Sequence, residues 1–176
     1  MPESQTVQTT EPLKPIPDGY RSVTPWIISS DTARLLEFVK EAFGAEELAK
    51  VTGEDGTIGH AEFRIGDSIV MAFDAREDWP DTPGFIRLYV EDGDAVFRRA
   101  LKAGASSVTE MTHLFWGDRV GRVRDPLGNL WWIQTRIEDI SPEDLAKRAG
   151  EKRFVDARRY VQSAEFFPSK RTERKD

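Results

Sequence analysis

Cysteine is absent from the 176 residues. That excludes a disulfide framework, a thiolate nucleophile and any metal held by thiolates. Long apolar runs are also missing, so no segment is expected to span a bilayer. The start of the chain has neither a basic stretch nor an apolar signal core, so secretion is not expected and a cytoplasmic location is. Basic charge is in deficit, with 25 Lys and Arg against 31 Asp and Glu for a net −6. This balance disfavours non-specific partners among nucleic acids and anionic membranes. No phosphate-cradling glycine loop, no Ser/His/Asp order and no basic-aromatic stripe is found. What the chain does have is core-forming material: 39% hydrophobic residues, five Trp and ten Phe. That is enough for one domain or two small similar halves.

The most informative stretch is Leu114–Gln134. It holds three turn signals, at Trp116-Gly117-Asp118, at Gly121 and at Asp125-Pro126-Leu127-Gly128-Asn129. The Pro and Gly around Leu127 fix a tight reversal between two β-rich runs, Arg119–Arg124 and Leu130–Thr135. Upstream lies a plainer copy of the same grammar. Val23–Ser29 reads as a strand. Asp31 then caps a helix whose apolar residues Leu35, Leu36, Val39 and Phe43 recur at helical spacing, and Gly44 stops it. Three strands follow, Glu46–Thr52, Ile58–Ile65 and Ser68–Phe73. After a proline-rich linker, Arg76–Pro83, the order repeats with a strand at Phe85–Val90, a helix at Asp92–Ala103, and a strand at Ser106–Met111. Aligning Phe43-Gly44-Ala45 with Ala103-Gly104-Ala105, and Gly66-Asp67 with Gly128-Asn129, yields two βαβββ modules. The predicted organisation is an α+β domain over residues 20–138, with modules 20–75 and 84–138. A polar arm, residues 1–19, reads as disordered. A C-terminal extension, residues 139–176, reads as helical: Ser141-Pro142 starts one helix, a second segment spans Phe154–Phe166, and the tail Lys170–Asp176 is charged and frayed.

These residues resemble a known family. The paired modules, His60-Ala61-Glu62-Phe63-Arg64-Ile65-Gly66-Asp67-Ser68 and Phe115-Trp116-Gly117-Asp118-Arg119 with Asp125-Pro126-Leu127-Gly128-Asn129 are similar to the vicinal oxygen chelate superfamily. Its glyoxalase/bleomycin-resistance/extradiol-dioxygenase group, and the PhnB-like branch within it, give the nearest likeness. The resemblance implies curved mixed sheets around a cleft and a homodimer. It leaves activity open, because this fold hosts isomerases, dioxygenases, thiol transferases and metal-free drug-sequestering proteins. It also implies where a divalent ion would sit in the family's metal enzymes, on the first and last strand of each module. Those positions fall here at Thr24, Val70, Phe85 and Trp132, none of which offers an imidazole or carboxylate. No metal and no other cofactor is therefore expected.

Strand alternation defines the rest of the expected cleft. Gly59, Ala61, Phe63 and Ile65 form a small or apolar face for the helix, which leaves His60, Glu62 and Arg64 opposite. In the last strand of module one, Ile69, Met71 and Phe73 are assigned to the helix and Ser68, Val70 and Ala72 to the cleft. Module two contributes Leu130, Trp132 and Gln134, with Arg122 and Arg124 from the neighbouring strand, and the first strands add Thr24, Trp26, Phe85 and Arg87.

Each set supports more than one reading. His60 and Glu62 suit a base with its orienting acid, metal ligands together with His113, or simply a solvent-facing polar stripe. Trp26, Phe85 and Trp132 suit stacking on a planar ligand, or plain core or dimer packing. Arg87, Arg122 and Arg124 suit a clamp for carboxylate or phosphate, or pairing with Glu62 and the surplus acids. Asp118 suits a turn, accepting backbone amides or Arg119. The leading expectation is a protein that binds a small organic molecule in an aromatic cleft through Trp26, Phe85, Arg87, Arg122, Arg124, Trp132 and Gln134, without metal. Its rivals are a metal-dependent lyase, isomerase or dioxygenase using His60 and Glu62, and a sheet surface that serves assembly alone.

Overall fold

A computed structural model describes residues 13–166; the first twelve residues of the expected disordered arm and the tail Lys170–Asp176 lie outside them. The element order repeats as expected. Module one is β1 (Trp26–Ser29), α1 (Thr32–Phe43), β2 (Glu46–Thr52), β3 (Ile58–Ile65) and β4 (Ser68–Asp74). Module two is β5 (Phe85–Tyr89), α2 (Gly93–Lys102), β6 (Ser106–His113), β7 (Asp118–Arg124) and β8 (Leu130–Arg136). Then come α3 (Pro142–Gly150) and α4 (Lys152–Gln162). Each module makes a four-stranded sheet, ordered β1-β4-β3-β2 and β5-β8-β7-β6. In both, the first strand runs parallel to the last and the remaining pairs are antiparallel.

Local chemistry accounts for the element ends. The Asp31 side chain accepts from the Arg34 amide, and Gly44 takes the left-handed conformation (φ 69°) that closes α1. Asp92 caps α2 through the Ala95 amide, and Ser141 caps α3 with Pro142 in its first turn. Gly117 has φ 89° at the β6–β7 turn, and a Cβ there would meet the Glu138 carbonyl oxygen at 2.5 Å. The chain leaving β8 crosses this turn, its Ile137 and Glu138 amides donating to the Gly117 carbonyl. Only glycine fits both demands.

One hydrophobic core unites the modules. Leu35, Leu36, Phe38 and Val39 of α1 meet Ala61, Phe63, Val70 and Ala72 of the first sheet. Val96, Phe97 and Ala100 of α2 meet Val123, Trp131 and Ile133 of the second, all in the same cluster. The two helices pack on each other, with the Arg99 Nε donating to the Ala42 carbonyl at 3.2 Å. The Phe43 ring lies 4.7 Å from that of Trp131.

The register corrects the expected phase of β4. Phe63 pairs with Val70 and Ala61 with Ala72, so these side chains share the helix-facing side, since directly opposed residues project the same way. Val70 and Ala72 belong to the core, and Ile69, Met71 and Phe73 take the opposite, open face. The cause is visible in the sequence: Ile69, Val70, Met71, Ala72 and Phe73 are apolar without a break, so alternation carries no sign.

Candidate ligand-binding face

On the second sheet the expected residues converge. Arg87 of β5 is aligned with Trp132 of β8, which is aligned with Arg122 of β7. This cross-strand row places the indole between two guanidiniums, whose Cζ atoms lie 4.0 Å (Arg87) and 3.7 Å (Arg122) from the Trp132 ring centroid. Cation–π attraction of about 0.5–2 kcal/mol per pair favours the stack. Arg122 is only 3% exposed. Burial first, and the neighbouring Arg87 charge second, push its guanidinium below the ordinary arginine value, though an arginine so shifted is still a cation at neutral pH. Among the described residues no carboxylate lies within ion-pair distance of Arg87, Arg122 or Arg124. The expected alternative, pairing with Glu62 and the surplus acids, is therefore not what the side chains do. Among the described residues the Arg122 Nε and the Trp132 Nε1 are buried donors without a partner, and the Gln134 Oε1 is a buried acceptor without one.

Gln134 belongs to an adjoining polar knot. Its Nε2 donates to the Tyr89 hydroxyl at 2.7 Å and to the Asp118 carboxylate, which also receives the Trp116 Nε1–H at 2.9 Å. Asp118 thus serves side-chain donors, while Arg119 turns instead to Asp94, which it grips with Nε and Nη2.

The face is covered by the C-terminal extension. Phe154, Ala157 and Val161 recur at helical spacing on α4; Ala157 and Val161 join Leu114, Trp116, Val120 and Trp132 in a second apolar cluster, and Phe154 packs edge-on to His113 at 5.4 Å. The Arg122 Nη1 donates to the Val161 carbonyl at 2.7 Å, and the Arg124 Nη2 to that of Phe166 at 2.8 Å. The Phe166 ring lies 5.3 Å from the Arg122 guanidinium and 6.4 Å from the Phe85 ring. Tyr160 accepts the Glu110 amide at 2.8 Å. The expected amphipathic segment is real, but neither the face it covers nor the contribution of Phe166 and the Val161 carbonyl was signalled by its pattern.

The first sheet's open face is different. Trp26, 57% exposed, packs edge-on to Phe73 at 4.9 Å and lies 6.1 Å from Trp79 of the linker. Its ring contacts are with those two and not with Phe85 or Trp132, so the three expected aromatics do not form one stack. The His60 Nε2 lies 2.8 Å from the Glu62 Oε1, and Tyr20 also hydrogen-bonds Glu62. That Tyr20 bond, followed by the one to His60, holds the Glu62 carboxyl below the usual carboxylate range. His113 is on the other sheet, its Nε2 2.8 Å from the Glu138 Oε1. His60, Glu62 and His113 are therefore not gathered, and the described residues contain no cluster of three or more His, Asp or Glu fit for a metal. The corrected register replaces Val70 with Met71 as the counterpart of Trp132, since Trp26 is aligned with Met71 as Arg87 is with Trp132. Thr24, Met71, Phe85 and Trp132 lack the nitrogen or carboxylate donors of the family's metal sites, and the group does not fit them.

A groove of about 1140 Å³ runs elsewhere, between β5 and the β3–β4 turn, with α2 as its floor. Of the residues expected to bind a ligand it takes in Arg87 alone.

The sequence pattern defining the Glyoxalase/Bleomycin resistance protein/Dioxygenase superfamily matches residues 21–133. The chain belongs to this superfamily. The superfamily match ends within β8, so α3 and α4 lie beyond it. An uncharacterized protein of Mycobacterium tuberculosis is 36% identical over 138 residues, spanning 70% of this chain and 79% of its own length. A counterpart in Mycobacterium bovis matches at the same identity, over 89% of its length. Among solved structures, TioX from Micromonospora sp. ML1 is 28% identical with a TM-score of 0.57, covering 65% of this chain and 97% of its own. TnmS3, an antibiotic binding protein from Streptomyces sp. CB03234, shares the fold at 21% identity and a TM-score of 0.53, covering 66% of this chain and 97% of its own.

Proposed function

We propose that the chain binds a small organic molecule on the face of its second sheet opposite α2, without a metal, as a cytoplasmic homodimer of the PhnB-like branch. The observation that carries this reading is the Arg87–Trp132–Arg122 row: stacked cations without counter-charge among the described residues, beside buried donors without partners there. Such groups are costly unless something satisfies them, and binding sites are where proteins tolerate that cost. A ligand whose apolar part meets the edge of Trp132 and the Phe85 ring gains about 25 cal/mol per Å² of apolar area covered, before the cost of association. TnmS3 supports the reading: it shares the fold and binds an antibiotic. The described residues contain no helix long and apolar enough to cross a membrane.

The test is a thermal-shift screen of small aromatic compounds against the full chain and Trp132→Ala. A compound that raises the melting temperature of the first and not the second is the expected result. Hits indifferent to Trp132 would refute the assignment of this face. The catalytic alternative, a metal-dependent lyase, isomerase or dioxygenase, draws support from the Tyr20–Glu62–His60 chain. Stoichiometric divalent metal in the purified protein, lost in His60→Ala, would establish that alternative.

A further inference from the structure

The ligand face is occupied by the chain itself, and the atoms that occupy it have a definite chemistry. Three carbonyl oxygens, those of Val161, Glu165 and Phe166, receive hydrogen bonds from Arg122 and Arg124 at 2.7, 3.4 and 2.8 Å. Beside them the Phe166 ring sits over the Arg122 guanidinium. An aromatic ring with oxygen acceptors alongside is the outline of an aromatic carboxylate. The carbonyls bring partial charge where a carboxylate would bring a full one. They also leave the Arg122 Nε and Trp132 Nε1 unsatisfied. A guanidinium this buried is better satisfied by an anion than by peptide oxygens, because a carboxylate adds a full opposite charge and can take two parallel N–H bonds where a carbonyl offers only a dipole.

The segment is built to leave. α4 has Glu151 at its N-cap with no side-chain cap bond, and a helix of eleven residues is marginal when detached from a partner. Among its described residues only Phe154 and Val161 are buried. A single non-helical residue, Glu151, separates α4 from α3.

Resting on the ligand-binding reading above, we infer that the C-terminal segment from Phe154 to Phe166 is an intramolecular stand-in for the ligand, that the ligand is an aromatic carboxylate, and that it binds by displacing this segment. Two elements then share one face. Affinity for the ligand falls by the fraction of molecules in which the face is open, and loosening the segment raises it.

The experiment uses 2-naphthoate, with uncharged 2-naphthamide as control, titrated calorimetrically into the full chain, into Tyr160→Phe/Phe166→Ala, and into the same double variant carrying Arg122→Gln. Tyr160 and Phe166 lie on the segment, so their loss loosens it while leaving the sheet's side chains intact. Naphthoate is expected to bind the double variant at least about threefold more tightly than the native chain, and about tenfold more tightly than naphthamide does. Adding Arg122→Gln is expected to abolish that preference. Amide exchange across 152–162 should accelerate when naphthoate saturates the native chain. Binding that needs Arg122 but is unchanged or weakened in the double variant, or that protects α4, overturns displacement and leaves the ligand face standing. Equal affinity for acid and amide overturns the carboxylate. Absence of naphthoate binding in the double variant, shown folded by its circular dichroism, overturns the inference, and Trp132-dependent thermal shifts with neutral compounds would then preserve the ligand-binding reading alone.

Discussion

The two modules share a backbone plan and a core but differ at equivalent places. At the turn before the last strand, module one has Gly66-Asp67 and module two Gly128-Asn129. Asp67 is exposed and pairs with Arg21 at 3.0 Å. The second turn is built around Asp125, which is buried and accepts from the Leu127 and Asn129 amides, the Asn129 Nδ2 and the Trp131 Nε1 at 2.8–2.9 Å. The open faces differ in the same sense. Trp26, Phe73 and Trp79 pack against each other on the first, while on the second the buried Arg122, half-buried Arg124 and exposed Arg87 have no counter-charge among the described residues. A duplicated plan therefore fixes topology twice, while the proposed ligand face occurs once, in the half whose turn is the more rigidly held.

Asp125→Ala tests that contrast most severely. It strands four donors, one on the fully buried Trp131, and should cost about 3 kcal/mol in urea unfolding. Asp67→Ala, at the matching turn, should change stability by less than about 0.5 kcal/mol. Equal losses would mean that the two turns carry equal weight. Next in size is Arg122→Met, which removes a buried charge that lacks a counter-ion but keeps apolar bulk beneath α4. It should leave the melting temperature unchanged or raise it, by up to about 2 kcal/mol of stability, while abolishing ligand binding. A large loss of stability would make Arg122 a structural residue instead.

Acid sharpens the comparison from the other side. Asp74 accepts the Thr32 and Ile58 amides, both at 2.7 Å, tying α1 and β3 to β4. Burial opposes ionisation there, but these amides outweigh it and hold the carboxyl below the usual range. A folded-state value below the unfolded one means the stabilisation is fully present above the unfolded pKa, roughly pH 4, and disappears as pH falls through the lower folded value. Glu62, lowered likewise, adds in the same direction. Asp74→Asn should reduce stability at neutral pH and flatten the acid limb, seen by following unfolding from pH 6 to pH 2. His60→Ala should be smallest, within about 0.5 kcal/mol, because the pair is partly exposed.

How far the sequence reached follows from the same particulars. The strands and helices of both modules were legible because turn glycines and caps repeat at matching places, and Asp31, Gly44, Asp92 and Ser141 do what their positions imply. The open face of module two was legible because Trp131 and Ile133 differ in burial demand from Arg122, Trp132 and Gln134. That of module one was not, since β4 is apolar on both sides and its register is set by pairing with β3. The seat of α4 was hidden for another reason. An apolar stripe says that a helix packs but not on what, and the acceptors it offers Arg122 and Arg124 are backbone oxygens, which no side-chain pattern encodes. Tyr89 and Asp118 escaped notice as partners of Gln134 because only the fold brings them together.

The ring of Phe43 against that of Trp131 has a consequence for how the molecule fails. Because the first half's helix ends inside the second half's interior, neither repeat can melt without opening the other, and heat or denaturant should register one transition for the pair. A gene cut at the Arg76–Pro83 linker would accordingly yield two fragments that aggregate when made singly and regain solubility when made together.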